Sequence, residues 1–127
     1  MVKSRLQELG IPKVPMTLFA KGANWALEEM AEVGGYDILG LDWVHEPALA
    51  RHRVGSRVAL QGNLDPNVLY GGRDAIEREV KKMAEGFKIN GQAVGWIANL
   101  GHGITPGVDP DDLKWFFECV HRYSASA

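Results

Sequence analysis

Seven polar residues stand where apolar runs of the chain end: Lys21, Asp42, Gln61, Asn63, Asp65, Asn99 and His102. An imidazole is the most versatile of these groups, because it exchanges a proton near neutral pH and can donate a hydrogen bond to a carboxylate in either charge state. His102 lies in Asn99-Leu100-Gly101-His102-Gly103, where a glycine on each side permits backbone angles that other residues resist and can aim the ring into a pocket. His45, His52 and His121 lack such flanks and read as loop and helix surface positions. Lys21 would suit Schiff-base chemistry only if desolvated to a low pKa. Ala20 and Gly22 beside it supply no such surroundings, so a solvated or ion-paired ammonium is the plainer reading.

Gln61-Gly62-Asn63-Leu64-Asp65-Pro66 reads as a strand end followed by an Asx-type turn, with Gly62 admitting close backbone approach and Asn63 available to cap the turn. Taken singly, such residues are what any strand shows as it reaches water. Four strand ends carrying them in succession set a shared site beside that reading. Cys119, next to Val120 and without a second cysteine, reads as a small apolar residue with no role. There is no GxGxxG, Walker A, HExxH or EF-hand pattern, so nucleotide and catalytic-metal chemistry have no motif to rest on. A single cysteine also excludes a zinc site with two thiolate ligands.

Elements must bring these groups together. The continuous apolar run from Val14 to Ala20 predicts a strand buried on both faces of a parallel sheet, with Pro12 and Pro15 tolerable only near its start. Further strands are expected over 36–41, 58–63 and 94–99. Helical spacing links them: Ala23, Leu27, Met30 and Ala31 up to Gly34-Gly35, a short stretch from Pro47 to Arg53, and Ile76, Val80, Met83, Ala84 and Phe87. The last helix has Asp109 as N-cap, Pro110 at its first position, and Leu113, Phe116, Phe117 and Val120 as its buried stripe. Four strand-then-helix units make a parallel α/β sheet, either an open doubly wound one or about half of a (β/α)8 barrel. In both, sites form beyond the C-terminal strand ends, where the polar residues fall. Val2, Leu6 and Leu9 form an amphipathic turn that begins directly at Met1 with no capping residue, as in a chain whose true start lies upstream.

Composition narrows the classes. The chain has 127 residues, 46% of them hydrophobic and 24% charged, with a formal charge of −2. That is one globular domain without the basic excess of a nucleic-acid binder. No run approaches the roughly 20 apolar residues of a membrane span, no signal-peptide pattern follows the start, and one cysteine suits a reducing compartment. A cytoplasmic location is expected.

The residues also carry a resemblance. Val14-Pro15-Met16 with Phe19-Ala20-Lys21, Gly40-Leu41-Asp42-Trp43, Leu60-Gln61-Gly62-Asn63-Leu64-Asp65-Pro66, and Ile97-Ala98-Asn99-Leu100-Gly101-His102-Gly103 follow one another as in the uroporphyrinogen decarboxylase family. Over nearly its full length the chain resembles the C-terminal third of that family. The resemblance implies an α/β fold of parallel units forming roughly half of a TIM (β/α)8 barrel, with the N-terminal part lying upstream. It also implies a homodimeric, cofactor-free and metal-free decarboxylation of the four acetate side chains of uroporphyrinogen to coproporphyrinogen. By resemblance His102 is the cleft histidine that binds substrate. The family's catalytic carboxylate and arginine-rich motif belong upstream of Met1, so no catalytic residue is expected here and the chain alone is expected to be inactive. Partners expected are uroporphyrinogen and either a second copy or the complementary half of the barrel. A related methyltransferase reading needs a His-x-Cys zinc ligand set that Cys119 cannot supply. The alternative is a truncated, non-enzymatic paralogue that binds the full enzyme or a porphyrinogen.

Overall fold

Parallel pairing in chain order is the first result of folding these apolar runs. In a computed structural model of the protein, which describes residues 2–125, β1 (Thr17–Phe19), β2 (Ile38–Gly40), β3 (Ala59–Leu64) and β4 (Trp96–Leu100) form one sheet in the order β1-β2-β3-β4. Leu18 sits opposite Leu39, Leu39 opposite Leu60, and Leu60 opposite Trp96. Helices α1 (Val2–Glu8), α2 (Leu27–Val33), α3 (Pro47–Val54), α4 (Arg73–Gly86) and α5 (Pro110–Ser124) alternate with them. Short 3-10 turns at Asn24–Ala26 and Pro66–Tyr70 precede α2 and α4. Consecutive helices touch in the order α2, α3, α4, α5, so they lie side by side along one face of the sheet. A doubly wound sheet would place helices on both faces and reverse its strand order; this arrangement is that of a barrel segment.

The core lies between that face and the helices. Leu39 and Leu60 point into it, against Leu27, Val54, Ile76, Val80 and Met83, and Phe87 stacks on Trp96 at a centroid distance of 5.7 Å. The opposite, concave face is uncovered. Contrary to the expectation of burial on both faces, β1 alternates: Leu18 packs on the core, whereas Thr17 and Phe19 are exposed, Phe19 at 49%. The strand is also shorter than 14–20: only Thr17–Phe19 pair with β2. At the other edge β4 alternates in the same way and leaves Ile97 43% exposed.

Two further details position the strand ends. Arg51 of α3 is buried and its guanidinium donates to the carbonyls of Phe87 (3.1 Å), Gly55 (2.9 Å), Val58 (3.2 Å) and Gly95 (2.6 Å), which joins α3 to the chain entering β3 and β4. At the start of α5, Asp109 caps the helix by accepting from the Asp111 N–H at 2.8 Å, as its sequence position implies. Phe117, expected in the buried stripe of α5, is instead 52% exposed, because it faces the uncovered edge beside β4.

Candidate functional site

The C-terminal ends of β1, β2, β3 and β4 are tied together through Asp42. This residue follows β2 and is only 4% exposed. Its Oδ2 accepts the Gly22 N–H at 2.8 Å, while Oδ1 takes the Val44 N–H at 3.2 Å and lies 3.1 Å from His45 Nδ1. Burial pushes this carboxyl up and is the largest single influence. The Gly22 N–H, the His45 ring and the Val44 N–H together outweigh it and hold the pKa below the ordinary value. Asp42 is therefore an anion at neutral pH, and it fastens the loop after β1 to the turn after β2.

Asn63, at the end of β3, is buried as well. Its Nδ2 donates to the carbonyls of Asp42 (2.9 Å) and His45 (2.7 Å), so it binds the neighbouring strand end. Capping of the following turn falls to Asp65, whose Oδ1 accepts the Asn67 N–H at 2.9 Å. Gly62, at φ 137°, brings its α-carbon so close to the Leu41 carbonyl that a Cβ would lie 2.9 Å from the oxygen, which is the close approach expected of it.

The loop after β4 is seated on this base. Gly101 N–H donates to Leu64 O at 2.7 Å, and its α-carbon rests against the Asp42–Trp43 backbone where any side chain would overlap. His102 emerges from that contact exposed, with its ring edge-on to Trp43 at 5.7 Å and 75°. Trp43 also carries the Lys21 ammonium 5.1 Å from its ring centroid. Further along, the Tyr70 hydroxyl hydrogen-bonds Thr105 Oγ1 and holds the loop against the turn after β3.

These elements surround an open groove of about 630 Å³ on the concave face, lined by Phe19, Gln61, Asn99, His102 and Phe117 among others. Its walls are mostly apolar, with polar groups at the strand ends, as binding clefts for organic molecules commonly are. Of the polar residues singled out from sequence, Gln61, Asn99 and His102 face the groove, Asp42 and Asn63 form the framework behind it, Lys21 stands over Trp43, and Asp65 is a turn cap.

The model of the family described as uroporphyrinogen decarboxylase matches residues 2–123. The chain belongs to the uroporphyrinogen decarboxylase family. It is 48% identical to uroporphyrinogen decarboxylase of Schizosaccharomyces pombe over 126 residues, covering 98% of this chain and 34% of that protein. The human protein of that name is 46% identical over 123 residues, covering 97% and 32%. That of Klebsiella pneumoniae is 53% identical over 113 residues, covering 89% and 31%. The chain thus spans about a third of the length of the curated relatives it matches. Among solved structures it is similar to a methyltransferase from Methanosarcina mazei, with a TM-score of 0.73 and 25% identity, over 98% of this chain and 36% of that one. The shared fold is a partial barrel of parallel units.

Within this member of the uroporphyrinogen decarboxylase family, two site features escaped the sequence reading. His45, expected from sequence at the surface, has a side chain only 6% exposed, because Asp42 draws its ring inward. Its Nε2 is buried without a hydrogen-bond partner. The acid-x-x-histidine spacing just past a strand end was the available signal. Trp43 was part of the quoted resemblance, but its place between Lys21 and His102 depends on three chain segments and no local pattern carries it. Cys119 is buried in α5, and burial, reinforced by Glu77, pushes its thiol pKa up. No trio of His, Cys, Asp or Glu side chains suited to a metal occurs among the described residues.

Proposed function

We propose that the chain forms one wall of the substrate cleft of a decarboxylase that converts uroporphyrinogen to coproporphyrinogen by removing carbon dioxide from its acetate side chains. Membership of the family over residues 2–123 carries this reading. The groove adds to it, since it is open, has a volume of about 630 Å³ and carries His102 in its lining. In this role the His102 imidazole donates a hydrogen bond to a substrate carboxylate, neutral or protonated, and fixes the register of the macrocycle in the cleft. Loss of carbon dioxide through a protonated pyrrole requires charge stabilisation beside the ring nitrogens and oriented donors at the carboxylates. This chain supplies donors and an apolar wall; the pyrrole-facing anion belongs to the complementary part of the barrel, contributed by the rest of a longer chain.

No helix of the described residues is long and apolar enough to cross a membrane. With a single cysteine, the chain suits the cytosol, where the proposed reaction would run.

The test is coproporphyrinogen formation by the natural protein that carries this sequence. Replacing His102 by Asn is expected to lower kcat/KM by about one to two decades while leaving Tm near wild type, since an exposed loop substitution costs little stability. Unchanged kinetics would remove His102 from the site, and absence of decarboxylation in the unsubstituted protein would end the reading.

A further inference from the structure

A substrate rich in carboxylates meets a chain whose net charge is −2, so local cations must be placed with care. Among the described residues most lysines and arginines are engaged in ion pairs at the outer surface: Arg53 with Glu28, Arg57 with Glu32, Lys82 with Glu46, Lys88 with Glu85 and Arg122 with Glu77. Lys21 is different. Like Lys13, Arg73 and Lys81 it is exposed and forms no ion pair among the described residues, but it follows the groove residue Phe19 by two positions. Its ammonium rests over the Trp43 indole at 5.1 Å, an attraction to the ring face that holds the cation without neutralising it.

The same indole meets the His102 ring edge-on at 5.7 Å. Both neighbours are carried on anchored backbone. The loop bearing Lys21 is fastened by the Gly22 N–H to Asp42, and the loop bearing His102 by Gly101 seated on the Asp42–Trp43 backbone. Trp43 itself begins where that anchored segment leaves the base.

We propose that Lys21 is a second substrate-binding residue, and that Trp43 positions it beside His102 so that the two present their N–H groups to the carboxylate side chains of a polycarboxylate tetrapyrrole. This rests on the function proposed above and names a cation that stands beside the groove, next to its lining residue His102. The indole keeps the ammonium extended in the free protein, so that less side-chain freedom is lost when a carboxylate arrives. Trp43 acts through Lys21 and takes no part in bond breaking.

The experiment uses the natural protein carrying this sequence, assayed for decarboxylation and titrated by fluorescence with uroporphyrin, the oxidised and stable form of the same octacarboxylate. Lys21→Gln is expected to raise KM and the uroporphyrin Kd about tenfold, with kcat changed by less than about twofold and a shallower dependence of KM on salt, because one charge-assisted contact is lost. Lys21→Arg is expected to restore most of the affinity. Trp43→Leu is expected to raise KM similarly, and the double variant Lys21→Gln/Trp43→Leu to be little worse than either single one, since both remove one interaction. A KM and Kd unchanged by Lys21→Gln, in a protein that His102→Asn impairs, overturns the assignment and leaves the proposed function standing. A rise in KM that Lys21→Arg does not reverse also overturns it. Failure of the unsubstituted protein to bind uroporphyrin or to decarboxylate its substrate overturns both.

Discussion

Three donors converge on the Asp42 carboxylate, and protonating it would weaken the connection between the first two strand ends. Its pKa is depressed in the folded chain relative to the ordinary value of 3.8. The stability it contributes is therefore complete above that value and is lost as pH falls through the lower folded one. Asp42→Asn is expected to destabilise the protein by about 2 kcal/mol at pH 7, the range of hydrogen bonds to a buried charge. The difference from the unsubstituted protein should narrow as pH drops below 3.8. Urea denaturation at a series of pH values checks this; a constant difference down to acid pH would show that the charge is immaterial. The residue types around the site were readable in advance, since Asp42, Asn63, Asn99 and His102 follow apolar runs. Their division of labour was not. Asn63 and Asn99 are the same amide at paired positions of neighbouring strands, yet one is buried across a strand boundary and the other accepts from its own neighbour Leu100 in the open groove.

Helices were predictable where the apolar period is strong, as in α4, and where a cap joins it, as in α5 with its Asp109-Pro110 start. β1 was over-extended in the sequence reading because an apolar run records what a residue prefers to bury and carries no information on which neighbours are present to bury it. Helix α3 has little amphipathic pattern, and its packing depends on Arg51. This cation donates to the backbone carbonyls of four residues in the two connections that lead into β3 and β4. Burial lowers its pKa, though an arginine remains charged. Arg51→Leu would remove the donor from the Gly55, Val58 and Phe87 carbonyls, while Gly95 O keeps the Leu60 N–H, at about 1–3 kcal/mol for each orphaned carbonyl that water cannot reach. We expect a loss of at least about 3 kcal/mol in urea denaturation, and only partial recovery with Arg51→Lys, which keeps the charge and loses the fork. A loss below about 1 kcal/mol for the leucine variant would mean that water reaches those carbonyls.

The whole sheet ends in two unpaired edges among the described residues, β1 and β4, and its concave face exposes Phe19 and Ile97, with Phe117 of α5 beside them. Open edges recruit other strands, and an apolar face of this kind is covered in most stable proteins. The 127-residue chain is expected to associate at micromolar concentration, edge to edge or through the groove face. Light scattering decides it: a dimer or larger species is expected, and a cooperatively melting particle of about the chain's own 14.0 kDa would contradict it.

The one-sided core has a consequence for how this wall can vary. Leu39 and Leu60, with the helix residues they meet, hold the strands in place from behind, whereas Thr17, Gln61, Ile97 and Asn99 lie on the face that contributes little to that packing. Substitutions in the groove can therefore change which molecule is bound without exhausting the few kcal/mol that keep a domain folded. Folding and recognition are assigned to opposite sides of the same four strands, so selection can act on one with little interference from the other.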